Sequence, residues 1–243
     1  MGKPSKDKDR RAVVEKLRRD QERSEKRRTY AIIAACAAVG LVIVGLTLPS
    51  VIKQEKLKGR DLDAIGVSAN DAGCQDVQAE PATGSADHQP DGKPIVYDAA
   101  PPASGPHYAA PAPMSRKFYV AEDRPPVGSL VHNLEHGYSI LWYDDVVAEN
   151  KEQLAEVKAI GDKFPGASEP GNKFVVAPWT KDDGEPFPKG MHVAITHWSM
   201  GDTNGNDEGQ QGVSQYCAAP SGEAVNTFVE DYPYSDSPEP NAT

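Results

Sequence analysis

The chain has 243 residues and a formal net charge of −10, but the charge is unevenly spread. Residues 1–29 carry twelve Lys and Arg against six Asp and Glu, residues 30–52 carry no charged side chain, and the remainder holds fourteen basic and thirty acidic residues. That distribution excludes a single evenly solvated globule, and the acidic remainder argues against a nucleic-acid partner.

The basic segment, 1–29, reads as a charged helix whose only sizeable apolar residues are Val13, Val14 and Leu17, too few for a core. The uncharged run 30–52 follows. Its length, about 34 Å as a helix, suits a hydrocarbon layer of roughly 30 Å. Leu48-Pro49-Ser50-Val51-Ile52 is a poor cleavage signal, so the expectation is an uncleaved single transmembrane helix rather than a leader. Cys36 within it reads as packing. The basic run before the span predicts a cytoplasmic N-terminus and a main domain outside the plasma membrane. The basic arm and its anchor then have the lipid bilayer as a partner.

Residues 53–70 are expected to be a linker or an extension of the anchor helix, and 71–234 to form the extracytoplasmic domain. Two cysteines, Cys74 and Cys217, stand near the two ends of that domain. In an oxidising compartment such a pair predicts one disulfide. The stretch 71–93 is rich in Asp, Gly, Ala and Pro and reads as loop, with His88 as a solvated surface residue. Pro94-Ile95-Val96-Tyr97 is a short strand candidate. Seven prolines in 98–128 predict an ordered loop without long regular elements.

Gly137 to Tyr143 reads as a buried strand. A helix capped by Asp144 or Asp145 is expected through Val147, Leu154, Val157 and Ile160 to Phe164. Strands are predicted at 174–177 and 191–198, and a short helix at 222–232 with Ser221 as its cap. The tail, 235–243, is expected to be flexible. The fold class is therefore an α+β exported domain on a single N-terminal transmembrane helix: a small sheet, two or three helices and a proline-rich loop.

The segments Tyr97-Asp98-(x2)-Pro101-Pro102-(x)-Ser104-Gly105-Pro106-His107-Tyr108 and His132-Asn133-Leu134-Glu135-His136-Gly137, followed by an aromatic strand, resemble a domain-of-unknown-function family, DUF3105. The resemblance extends over roughly residues 70–235. It implies an actinobacterial, membrane-anchored exported domain of α+β fold and no established reaction.

The densest candidate chemistry lies in those two segments. His132 and His136 share one face of a helix, and His107 offers a third imidazole from the preceding loop. Three imidazoles suit zinc or copper. The same residues also make sense as a structural network, with Glu135 and Tyr108 helping to fasten the proline-rich loop. His132-(x2)-Glu135-His136 fits the inverted zinc-protease motif, but the glycines on both sides leave little helix, so a metal-dependent hydrolase is disfavoured. Met191, His192, His197 and Met200 are copper-friendly, yet 192 and 197 point to opposite faces of a strand. Asp202-(x)-Asn204-(x)-Asn206 begins like a calcium loop but has Asp207 where glycine is needed.

The leading functional expectation is a non-enzymatic accessory subunit on the outer face of the plasma membrane, beside a larger membrane complex such as a respiratory supercomplex. The alternative is an extracytoplasmic copper- or zinc-binding domain built on His107, His132 and His136.

Overall fold

Consecutive apolar residues make a strand that is covered on both faces, and Ser139–Tyr143 (β4), Phe174–Pro178 (β5) and Val193–Ser199 (β6) are buried at every position. A computed structural model describes residues 5–83, 88–166, 169–201 and 209–242. The calcium-like stretch 202–207 lies outside the described residues, as do 1–4 and 243.

The chain divides into two units, Met1–Lys53 and Gln54–Thr243. Helix α1 runs over Ser5–Lys58. Within Arg10–Gly45 it is long and apolar enough to cross a membrane, and none of that stretch is buried inside the protein. At its end Leu57 is buried in the core of the second unit.

In the second unit, Gln78–Pro81 (β1) and Gln211–Cys217 (β7) join β4, β5 and β6 in a five-stranded sheet of order β1-β7-β6-β4-β5. Only β4 and β5 run parallel. The helices between them, α3 (Asp145–Glu149) and α4 (Lys151–Gly161), make the crossover that a parallel pair needs. A two-stranded parallel pair, His88–Gln89 (β2) with His107–Tyr108 (β3), stands apart from the main sheet.

Alternation along each strand sends side chains to two cores. Leu141, Tyr143, Val176, Ile195 and Val213 meet Val157 and Ile160 of α4 and Val225 and Phe228 of α5 (Gly222–Asp231). Ile140, Trp142, Val175, Ala194 and Trp198 meet Leu130, Val131 and Leu134 of α2 (Val127–Glu135). The sheet is thus a middle layer, and α2 lies on the face where the histidines collect. The Cys74–Cys217 disulfide is formed and ties the start of the domain to β7. Such bonds persist in oxidising compartments.

Several expectations change. Among the described residues four α-helices serve the second unit's sheet, rather than two or three. The helix expected over 145–164 divides at Asn150, whose side chain accepts from the Glu152 and Gln153 N–H groups and starts a new helix. Asp144 caps the first piece. Residues 94–97 form no strand; Tyr97 is instead fixed by its hydroxyl donating to Pro106 O at 2.7 Å. The tail expected to be flexible is bonded in place. Lys173, 7% exposed, donates from Nζ to His136 O, Pro240 O and Ala242 O at 2.8–2.9 Å. Ser237 is buried, and the Asp236 carboxylate accepts from Ser199 Oγ.

Candidate metal centre

Helix α2 places its last turn against β3. Leu130, Val131 and Leu134 turn towards the sheet. That orientation leaves His132, Glu135 and His136 to meet the loop that carries His107. Gly137 ends the helix at φ 90°, and a Cβ there would sit 2.4 Å from Tyr234 O. Only glycine allows the tail to pass so near.

Four ionisable side chains are buried together: His107 (0% exposed), His132 (5%), Glu135 (3%) and His136 (7%). His107 Nδ1 lies 2.9 Å from Gly105 O, and His132 Nδ1 lies 2.5 Å from Tyr108 O. A carbonyl oxygen only accepts, so both Nδ1 atoms carry hydrogen. Both Nε2 atoms turn inward: that of His107 donates to the Glu135 carboxylate, and that of His132 accepts from His136 Nε2. His107 Nε2 faces Glu135 Oε2 at 2.9 Å, and apart from each other neither atom has a hydrogen-bond partner. His132 Nε2 faces His136 Nε2, also at 2.9 Å.

His88 completes the group. It pairs with His107 in the β2–β3 ladder and remains exposed to solvent. The ring centres of His88, His107 and His132 are 4.9, 5.0 and 5.0 Å apart. Three imidazoles bound to one ion at about 2 Å would hold their ring centres about 5 Å apart. Their ligand atoms lie within 4.8 Å of one another, and so do those of His132, Glu135 and His136.

Charge in the site is balanced by proximity. Burial opposes a charge on His107, but the Glu135 carboxylate and Gly105 O outweigh it and raise its pKa above the ordinary value. Burial likewise opposes the Glu135 anion, and the bond from His107 with the charges of His107, His132 and His88 overcomes it and lowers the pKa. Burial dominates at His132 and lowers its pKa. His136 is pushed down to about 4 by burial and the neighbouring His132. His132 and His136 are thus held in the neutral form in which an imidazole binds a metal, whereas His107 would give up a proton to do so.

The three imidazoles expected from sequence fall into two groups. His107 and His132 stand together, but their third imidazole at ion-binding distance is His88, read from sequence as a solvated residue. His136 belongs with His132 and Glu135. Tyr108 acts through its backbone: its carbonyl holds His132, while its hydroxyl donates to Lys93 O. Asn133 fixes the loop as well, accepting from Ala112 N and donating to Ala112 O. The other histidines stand elsewhere. His192 donates to Asp144, and both ring nitrogens of His197 face carbonyls, Tyr138 O and Asp236 O. Helix α2 has nine residues, where little more than one turn was expected, yet the motif's glutamate turns to His107.

A family model described as protein of unknown function, DUF3105, matches residues 88–243. The matched span begins at His88 and contains every side chain of the cluster. No curated protein and no solved structure matches the chain.

Proposed function

The chain belongs to the DUF3105 family, proteins of unknown function, and on that premise we propose that its domain is an extracytoplasmic metal-binding domain, held at the outer face of the plasma membrane by α1. His88, His107 and His132 are the ligands, zinc or copper the ion, and Glu135 the buried counter-charge. One observation carries this reading: the Nε2 atoms of His107 and His132 and the Glu135 carboxylate converge in a buried site with the opposite ring nitrogens already engaged by carbonyls. A bound cation would take the place of the ring protons that His107 and His136 now present to Glu135 and His132. Carbonyls that fix the remote nitrogen of each ring are the usual outer support of histidine ligands.

The orientation, with N-terminus inside, rests on the basic run before the span. The disulfide supports the outer location. A metal-holding domain of this kind also suits an accessory subunit beside a larger membrane complex, and the cluster is then the part that performs its task.

The test is metal content. The full-length chain, purified in detergent, is stripped and reloaded, and zinc and copper are counted per chain. One equivalent is expected for the wild type and none for His132→Gln at the same free-metal concentration. A wild type that stays metal-free with its disulfide intact contradicts the proposal.

A further inference from the structure

Two ligand triads share one side chain. His88, His107 and His132 form the first, and His132, Glu135 and His136 form the second. His132 has one atom to give, because its Nδ1–H is held by Tyr108 O. A single Nε2 binds one ion, so the triads are alternative stations and not a pair of filled sites.

The row has two exposed ends and a buried middle. His88 is open to solvent at one end. At the other, Glu239 Oε2 lies 3.6 Å from His136 Nε2, with 56% of its side chain exposed. Its backbone N–H donates to Glu135 O at 2.9 Å, so the tail is fixed against the second station. A structural zinc site is closed by four ligands and has no reason for such an outlet.

Resting on the metal reading above, we infer that the cluster is a two-station path for one divalent ion, zinc or copper(II). The ion arrives at His88 and settles on His107 and His132. It moves to Glu135 and His136 while His132 stays bound, and it leaves by Glu239. A bare ion in the low-dielectric interior is prohibitively costly. A ligand common to both stations avoids that state, because the other bonds exchange one at a time. Each exchange breaks one bond to the ion and forms one. His136 binds through Nε2 as its ring hydrogen passes to Nδ1, so the ring stays neutral and no net proton is lost. The two carboxylates suit hard or borderline divalent ions and disfavour copper(I).

Copper(II) serves as the probe, added in equimolar amount to the full-length chain in detergent and read by electron paramagnetic resonance. His88→Gln is expected to keep one copper per chain. Its spectrum should shift from three nitrogen ligands to two nitrogens and an oxygen, and its loading should be at least ~10-fold slower. His136→Gln should keep the wild-type spectrum but pass its ion to excess chelator ~10-fold more slowly. His132→Gln should bind none. His88 is exposed, so its variant decides the matter even if His132→Gln fails to fold. The path is overturned if His88→Gln binds no copper or gives an unchanged spectrum, or if His136→Gln releases copper at the wild-type rate. A wild type that binds neither metal refutes the metal reading itself and is thereby told apart from a failure of the path.

Discussion

At the scale of single residues, the site depends on atoms that touch no ligand. Tyr108 O fixes the His132 ring, and Tyr108 itself rests against Gly128. A Cβ on Gly128 would lie 2.7 and 2.8 Å from the Tyr108 ring and 3.1 Å from Ile95. Gly128→Ala should therefore leave the chain folded but turn His132 off its angle, weakening metal binding ~10-fold in a competition titration. Unchanged affinity would show that Tyr108 has no part in holding the ligand. His107, His132 and Glu135 were visible in the sequence because two motifs bring them together. His88 was not. Its neighbours Asp87, Gln89 and Pro90 carry no apolar pattern, and its place is set by pairing with His107, nineteen positions later.

At the scale of elements, the parts legible in sequence are those whose burial is continuous. β4, β5 and β6 read as strands because Ile140-Leu141-Trp142, Phe174-Val175-Val176 and Val193-Ala194-Ile195 are buried on both faces. β1 is exposed at all four positions, and β7 opens on Gln211-Gly212 with mixed burial. Neither carries a signal of its own, and each exists through its ladder with a neighbour. The tail is a similar case. Ser235 to Ala242 has almost no apolar content, and its order comes from Lys173, which gathers three carbonyls from two segments. Lys173→Met removes all three bonds and should cost about 2–3 kcal/mol in urea unfolding. Amide exchange should rise across 234–242. A variant whose tail stays protected would mean that Ser237 and Asp236 suffice to hold it.

At the scale of the whole molecule, the disulfide and the two-faced sheet give a frame that holds ionisable groups away from water. Joining residues 143 positions apart restricts the unfolded chain by up to about 5 kcal/mol in the entropic account. The buried histidines make the stability of the metal-free chain depend on pH. His132, His136 and His197 have folded pKa values below the usual 6.5, so the unfolded chain binds their protons first. Their contribution is complete above that value and is lost as pH falls through the folded values, down to about 4 for His136. His107 has the opposite sign: its pKa is raised, and its contribution is present in acid and lost as pH rises. Between pH 7 and 5 the net effect should be a loss of stability, seen as a lower denaturant midpoint in the presence of a chelator. Equal or greater stability at pH 5 would mean that the His107–Glu135 pair outweighs the other three.

The most direct measurement of the central claim is X-ray absorption at the zinc edge on the full-length, zinc-loaded chain. The account predicts a first shell dominated by imidazole nitrogens at about 2.0–2.1 Å, with outer-shell scattering from three rings, reduced to two in His88→Gln. A shell of water and carboxylate oxygens, or a spectrum unchanged on replacing both His107 and His132 by Gln, would contradict it.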